Sequence, residues 1–226
     1  LEADTLHLGS TTVVHQVDRL LLPWSQHLKR TIDLTLSLAL LIPCVPLMLA
    51  ISLLVKLTSR GPIFFTERRI GRGGREFIAW KFRTMHVNAK EMLDCYLEEH
   101  PSLSREWKTT HKLKNDPRVT RIGRFLRKSS LDELPQLFNV IIGDMSLIGP
   151  RPIVSDEIPR YGKDFWRYCR VRPGVTGLWQ VSGRNDTTYE ARVAYDAYYA
   201  NNWSVWFDAW ILARTVNVVL FCKGAY

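Results

Sequence analysis

The longest apolar stretch of the chain is residues 34–55, which carry no charged side chain. About 20 apolar residues suffice for a helix to cross a bilayer, so this stretch is long enough. Pro43 and Pro46 stand near its middle, where each removes a helical hydrogen bond and favours a bend. The pattern predicts a membrane helix over residues 29–57 that is broken at its prolines.

Basic residues flank this apolar stretch on both sides. Lys29 and Arg30 precede it, and Lys56 and Arg60 follow it. Positively charged flanks tend to stay on the cytoplasmic side of a membrane, so both ends of the helix are expected on that side. A re-entrant helix that turns at the prolines satisfies this expectation, and a proline-kinked helix that spans the bilayer is the alternative.

The remainder of the chain alternates short strand-like and helix-like patterns. Residues 62–66 and 77–84 are predicted as strands. The glycine-containing stretch 71–74 between them favours a hairpin turn over a phosphate-binding loop, because no helix and no Gly-Lys-Ser/Thr sequence follow it. A polar connection is expected over 101–117. Helices are predicted at 87–100, 118–128, 131–142, 187–201 and 203–221. The fold class is therefore predicted as α+β and mainly helical.

The last predicted helix carries three tryptophans, Trp203, Trp206 and Trp210, at the spacing of one helical face. Core packing is the usual reason for such a stripe. Tryptophan with nearby arginine and lysine also fits a helix that lies at a membrane interface. The pattern leaves both interpretations open, and interfacial amphipathic helices are part of the predicted fold.

Composition narrows the class of partner. The formal net charge is +9 and the sequence pI is about 9.6, which suggests nucleic acid, an anionic membrane or phosphorylated substrates. The four cysteines are far apart and the six histidines do not cluster. Neither a disulfide framework nor a zinc site is indicated. A bound metal would be a hard ion held by carboxylates and phosphates.

Two adjacent carboxylates, Asp132 and Glu133, stand at a predicted helix start. Ser130 and Glu133 have the spacing of a capping box, which would place Asp132 in a first helical turn and lower its pKa. Arg127 lies at the end of the basic run just before them. A carboxylate nucleophile would thus lie beside anion-binding charge, although acids without any function are also common in first helical turns.

Three further segments combine basic side chains with rigid or turn-forming residues. Lys81 and Arg83 share one face of a predicted strand. In Pro150-Arg151-Pro152 the flanking prolines fix the backbone around an arginine, which suits a phosphate or a planar ring edge. Arg184 lies in a stretch of turns rich in glycine and threonine. Each segment alone is compatible with ordinary surface structure. Their joint presence beside a membrane helix indicates a site that binds phosphate.

These motifs, in this order, resemble those of the bacterial sugar transferases, which are monotopic phosphoglycosyl transferases. The resemblance covers about residues 28–226. It rests on Lys81-Phe82-Arg83-Thr84-Met85, Ser130 through Leu137, Gly143-Asp144-Met145-Ser146, Gly149-Pro150-Arg151-Pro152, and Arg172-Pro173-Gly174 onward.

The resemblance implies an enzyme that moves a sugar-1-phosphate from a UDP-sugar to undecaprenyl phosphate and releases UMP. It also implies Mg²⁺ and a covalent aspartyl intermediate. Asp132 would be the nucleophile, with Glu133 as its partner at the Mg²⁺ site. Arg127 would hold the polyprenyl phosphate, and Pro150-Arg151-Pro152 would contact the uridine.

The same resemblance divides the chain. Residues 1–28 would be a tether or the end of an upstream domain, 29–57 the re-entrant membrane helix, and 58–226 a catalytic domain at the cytoplasmic face of the bacterial inner membrane. One departure is Val45 before Pro46, where the family often has serine. The C-terminal residues resemble members that act on galactose or glucose.

Two other functions are weighed against this one. An inactive scaffold of the same fold would keep the membrane segment without turnover. A membrane-associated nucleic-acid-binding protein would explain the positive charge, but it leaves the apolar segment and the acidic pair unexplained. The expected partners are therefore the UDP-sugar, undecaprenyl phosphate and membrane lipid, without nucleic acid, and homodimer formation stays open.

Overall fold

The computed structural model describes residues 4–8, 11–15, 22–101, 103, 104, 107, 113, 116–183 and 187–220. Within this part of the chain the protein is mainly helical with small two-stranded sheets, which confirms the predicted class. Arg184 and much of the predicted polar connection 101–117 lie outside the described residues.

The elements are named in chain order. The strands are β1 (Asp4–Leu8), β2 (Thr11–His15), β3 (Phe64–Ile70), β4 (Glu76–Phe82), β5 (Ser146–Ile148) and β6 (Gly174–Thr176). The helices are α1 (Pro23–Thr58), α2 (Ala89–Glu99), α3 (Arg121–Ser129), α4 (Gln136–Ile142), α5 (Ile158–Tyr161), α6 (Phe165–Arg170), α7 (Leu178–Val181), α8 (Tyr189–Asn201) and α9 (Val205–Leu220).

The predicted hairpin is confirmed as the antiparallel pair of β3 and β4. Its register runs from Phe64 opposite Phe82 to Ile70 opposite Glu76, so β3 lies further along the chain than the predicted strand 62–66. Gly73 and Gly74 both have positive φ in the connecting 3₁₀ turn, a conformation that glycine adopts at little cost.

Helix α1 is longer than predicted and contains both prolines. By length and composition alone, it is the one helix among the described residues that could cross a membrane. Its buried residues fall into two groups, Ser25 to Ser37 near the start and Met48 to Val55 near the end. None of the residues from 38 to 47 is buried.

Each end of α1 is held by the same folded body. Near the start, the Lys29 ammonium donates to an Asp208 carboxylate oxygen of α9 at 2.8 Å. Near the end, Met48, Ile51 and Val55 pack in one apolar cluster with Phe82 and Leu126. Pro43 and Pro46 are exposed, while Leu41 and Cys44 between the two groups pack partly against apolar clusters. The predicted break at the prolines is wrong, because α1 continues as one helix through both of them, and re-entrance stays a prediction.

The predicted tryptophan stripe is wrong. Helix α9 begins at Val205, so Trp203 precedes it, lies buried and donates through its indole N–H to Asp208 at 2.9 Å. The other two tryptophans are on the exposed side of α9, where Trp206 is 85% exposed. The stripe therefore divides between the core and an apolar surface, and that surface fits the predicted interfacial helix.

Candidate active site

The position of Arg127 follows from how α3 begins. Thr120 caps the helix by accepting from the Gly123 N–H at 2.9 Å. A Cβ on Gly123 would lie 2.0 Å from the carbonyl oxygen of Thr84, so only glycine allows this close approach of helix and strand end. One turn later, Arg127 Nε donates to Thr84 Oγ1 at 2.9 Å, which fixes the guanidinium.

The acidic pair lies in a 3₁₀ turn, Leu131–Glu133, between α3 and α4. The predicted capping box is wrong, because the Ser130 side chain makes no capping bond and its backbone is left-handed, with φ of 58°. Ser130 instead closes α3 through its N–H to the Arg127 carbonyl. The left-handed residue turns the chain so that Asp132 lies close enough to Arg127 for their charges to interact.

Lys81 reaches the acidic pair because α4 is docked on β4. The buried Asn139 amide donates to the Ile78 carbonyl at 2.7 Å and accepts from the Trp80 N–H at 3.1 Å. This pins α4 beside the strand that carries Lys81. The Lys81 ammonium then donates to Glu133 Oε1 at 2.7 Å.

The Pro150-Arg151-Pro152 segment is held along its main chain. The carbonyl of its first proline accepts from the Gly174 N–H at 2.8 Å, and that of its second accepts from Arg69 Nη1 at 3.0 Å. The backbone N–H of Arg151 donates a hydrogen bond to the buried Asp196 carboxylate. Its guanidinium lies 3.7 Å from Glu133 Oε1. The backbone is thus fixed before any ligand binds, which limits the entropy lost on binding.

The two carboxylates of the pair have different electrostatic environments. Burial raises the pKa of Asp132 to about 6, with a further rise from Glu133, while Lys81, Arg127 and Arg151 lower it. Burial also acts to raise the pKa of Glu133, but Lys81 and Arg151 outweigh it and lower that pKa to about 2. The prediction that a helix start lowers the pKa of Asp132 is therefore wrong, because partial desolvation beside a second carboxylate dominates.

A small cavity of about 10 Å³ opens beside this cluster, room for roughly one water molecule. Its lining includes Lys81, Glu133, Arg151 and Arg69. Gln180 of α7 also lines it, and both side-chain amide atoms of Gln180 are buried without a hydrogen-bond partner. A buried amide without partners costs free energy, so this side chain is suited to a polar ligand.

The structure brings together most of the predicted site residues. Lys81, Arg127, Asp132, Glu133 and the Pro150-Arg151-Pro152 segment form one cluster through the contacts above. Arg83 is not part of it, because its Nη2 donates to the Ser59 carbonyl and hydroxyl at the end of α1. Arg184 lies outside the described residues.

Several residues that build the site were not predicted. Asn139 and Gly123 act by docking α4 and α3, and their role depends on contacts with distant segments. Arg69 and Gln180 line the cavity from β3 and α7. Gln180 lies in the stretch predicted as turns, where the structure instead has the short helix α7, and its burial without partners is visible only in three dimensions.

The donor set suits Mg²⁺ that is shared with a substrate. The described residues contain no group of three histidine, cysteine or acidic side chains that could hold a metal. Mg²⁺ is commonly bound by one or two carboxylates together with substrate phosphates. Asp132 and Glu133 provide such a pair, and the surrounding cations favour a phosphorylated ligand.

Comparison with known proteins identifies the family. The model of the bacterial sugar transferase family matches residues 24–222. The chain belongs to this family. The matched range contains all of α1 but its first residue and the whole acidic and basic cluster, in agreement with the resemblance seen in the motifs.

Curated relatives are similar over most of the chain. The undecaprenyl-phosphate galactose phosphotransferase of Salmonella typhimurium is 53% identical over 203 residues, which are 89% of this chain and 42% of that protein. The exopolysaccharide production protein ExoY of Sinorhizobium fredii is 48% identical over 198 residues, 88% of each chain. A UDP-glucose:undecaprenyl-phosphate glucose-1-phosphate transferase of Xanthomonas campestris is 43% identical over 202 residues, 86% of this chain and 39% of that protein. The chain thus spans less than half the length of several relatives that it matches.

Proposed function

We propose that the protein transfers a hexose-1-phosphate from a UDP-sugar to undecaprenyl phosphate and releases UMP, as the first membrane step of surface polysaccharide synthesis. The observation that carries the proposal is the pair Asp132 and Glu133 enclosed by Lys81, Arg127 and Arg151 in a bacterial sugar transferase. The names of the relatives from Salmonella and Xanthomonas support the classes of donor and acceptor.

The reaction proceeds in two displacements. A carboxylate oxygen of Asp132 attacks the phosphorus that bears the sugar, the bond from this phosphorus to the bridging oxygen breaks, and UMP leaves with that oxygen. A phosphate oxygen of undecaprenyl phosphate then attacks the same phosphorus and the Asp132 carboxylate leaves. The nucleophile divides one difficult transfer into two easier steps. Because the reactants are anions, stabilisation of charge is the main requirement.

The basic residues divide this task by position. Arg127, fixed by Thr84 and next to Asp132, is assigned to the acceptor phosphate. Lys81 and Arg151 flank Glu133 and are assigned to the donor diphosphate. Lys81 would exchange part of its contact with Glu133 for the donor when the ligand enters.

Mg²⁺ is assigned to Asp132 and Glu133 together with the donor diphosphate. Bound there, the ion would neutralise charge on the diphosphate and polarise the phosphoryl oxygens. Glu133 remains anionic at neutral pH because Lys81 and Arg151 outweigh the effect of burial and lower its pKa to about 2, so it is ready to bind a cation. Activity should disappear with a chelator and return with Mg²⁺, and full turnover in excess chelator would contradict this assignment.

The donor is proposed to be UDP-galactose, with UDP-glucose as the second choice. Pro150-Arg151-Pro152 is assigned to the nucleotide, and the segment 176–186, with Gln180, to the sugar hydroxyls. Arg151→Ala should weaken both UDP-sugars alike, while Gln180→Leu should change the ratio of their rates. A changed sugar preference in Arg151→Ala with intact affinity for UDP would contradict this division.

Intact-mass analysis tests the nucleophile directly. Incubation with UDP-galactose alone should add one hexose phosphate to the wild-type protein and release an equal amount of UMP. Asp132→Asn should give no adduct, whereas Asp94→Asn, a change of an exposed acid on α2, should give the same adduct as the wild type. The absence of adduct and of UMP release across a panel of UDP-sugars would instead support the inactive scaffold.

Re-entrance of α1 is proposed from its two anchored ends. Cysteines introduced at residues 28 and 60 should both react with a membrane-impermeant reagent from the cytoplasmic side. Labelling of the two positions from opposite sides would establish a spanning helix.

A further inference from the structure

Two arginines converge at the C-terminal end of α4, away from the acidic pair. Arg30 of α1 donates through both Nη atoms to the carbonyls of Val140 and Ile141. Arg172 donates through Nε to the Gly143 carbonyl at 2.8 Å. The last carbonyls of a helix carry partial negative charge, which accounts for these contacts. Only part of the Arg172 guanidinium is used by them.

A third arginine joins them from the tip of the β3–β4 hairpin. Arg72 Nη2 donates to Gln26 Oε1 at 2.9 Å, and Gln26 lies one turn before Arg30 on the same face of α1. The three arginines, Arg30, Arg72 and Arg172, are called the arginine cluster here. Burial lowers the pKa of Arg172, and the charges of Arg72 and Arg30 lower it further, as expected for like charges in proximity.

The positive charge of the arginine cluster is poorly balanced by the protein. Asp33 is the carboxylate that acts on Arg172. However, its two oxygens accept from the Ser146 hydroxyl at 2.7 Å and the Leu147 N–H at 3.2 Å. The helix end adds about half a negative charge. An anion with several acceptor oxygens would relieve the repulsion and use the remaining guanidinium donors.

An exposed apolar side chain lies beside the arginine cluster. Ile142, the chain neighbour of Gly143 at the end of α4, is 68% exposed. The uncharged stretch of α1 begins about one turn beyond Arg30, and Leu36, Leu38 and Leu40 on it are exposed. Cationic side chains beside exposed aliphatic groups and the start of an apolar helix are typical of the headgroup level of a bilayer. A small soluble anion has no apolar part that could pack against these side chains, whereas a lipid has one.

We propose that the arginine cluster binds the phosphate of an anionic phospholipid headgroup, at the opposite end of α4 from the acidic pair. The bound lipid holds the start of α1 and the hairpin tip against the bilayer surface. This site is separate from the one assigned to the reaction, so its occupancy is measured without turnover.

The experiment follows the melting temperature of the whole chain in a neutral detergent. Short-chain phosphatidylglycerol, short-chain phosphatidylcholine and inorganic phosphate are titrated at equal ionic strength. Phosphatidylglycerol should raise the melting temperature of the wild type through preferential binding to the folded state. Arg72→Gln and Arg172→Gln should each weaken this binding by about fivefold, the usual effect of one arginine at an anionic lipid surface.

Arg160→Gln is the matched control, because Arg160 is an exposed arginine that lies over Tyr189 in another part of the protein. It removes the same charge and should retain the wild-type response. Arg172→Gln can also destabilise α4, and Arg72→Gln then decides, since Arg72 is exposed. Equal shifts with phosphatidylcholine, an equal effect of inorganic phosphate, no loss in Arg72→Gln, or an equal loss in Arg160→Gln would each overturn the proposal.

Discussion

Replacing Lys29 by methionine tests whether α1 is held in place by a buried ion pair. Lys29 and Asp208 are both buried, and their closest atoms are 2.8 Å apart. Asp208 also accepts from the Tyr199 hydroxyl at 2.8 Å and the Trp203 indole at 2.9 Å. Asp33 lies 3.8 Å from the same ammonium. The substitution would leave two buried carboxylates without their common cation.

The expected cost is about 3–5 kcal/mol, the usual penalty for removing one partner of a buried ion pair. For a chain of this size 1 kcal/mol corresponds to about 2–4 °C, so the melting temperature should fall by about 6–20 °C. Asp208→Asn should cost less, because its amide oxygen still accepts from Tyr199 or Trp203. The double variant Lys29→Met/Asp208→Asn should be about 2 kcal/mol more stable than the sum of the two single costs predicts, because neither residue of the pair then carries an unpaired buried charge.

Melting is followed by tryptophan fluorescence in detergent, with Lys56→Met as the control. Lys56 lies near the other end of α1, where it is exposed and donates to the Gly61 carbonyl at 3.3 Å. Its loss should cost within about 0.5 kcal/mol. The ion pair would not be the anchor of α1 if Lys29→Met had the same melting temperature as Lys56→Met. The same would follow if the cost of the double variant were the sum of the two single costs.

Three further predictions test the site's scaffold. Burial raises the pKa of Asp196 from 3.8 to about 7. The folded state therefore binds the proton more tightly than the unfolded state, and the free energy of unfolding falls as the pH rises from about 3.8 to about 7. The unfolding free energy of Asp196→Asn, measured by chemical unfolding, should therefore rise relative to that of the wild type between pH 4 and pH 8 by up to about 4 kcal/mol. A difference that does not depend on pH would contradict this. Ser130→Gly should raise the unfolding free energy by up to about 1 kcal/mol, because a left-handed serine is strained. A lower unfolding free energy would instead indicate that the Ser130 side chain caps the following turn. Gly123→Ala should lower the melting temperature and UMP release together, since its Cβ would lie 2.0 Å from the Thr84 carbonyl oxygen, and unchanged values would argue against the close approach.

Local sequence rules predicted the elements well and the contacts between them poorly. The hairpin and the helices over 87–100 and 187–201 follow from periodicity and glycine positions, and the structure places elements there. Ser130 satisfied the spacing of a capping box, but α3 ends at the same residue and requires the left-handed turn. Spacing cannot distinguish the start of one helix from the end of another when the two meet at one residue.

The charged cluster shows the same limit. Lys81 and Arg83 have the spacing of one strand face, yet β4 ends at Phe82 and Arg83 turns to Ser59. The contact of Lys81 with Glu133 depends on Asn139 binding the edge of β4. Motif resemblance therefore named the candidate reacting groups, while the residues that bring them together were visible only in the packing of the structure.

The course of α1 links the membrane segment to the candidate site. The second half of α1 packs on Phe82 and Leu126, and these are the chain neighbours of Lys81 and Arg127. Side chains of adjacent strand residues point to opposite faces, so Phe82 faces the apolar helix while Lys81 faces the acidic pair. The site is thus one layer of side chains above a segment that is suited to lipid. A phosphate attached to a long lipid could reach Arg127 from the bilayer surface without leaving it, which gives α1 a role in the proposed transfer.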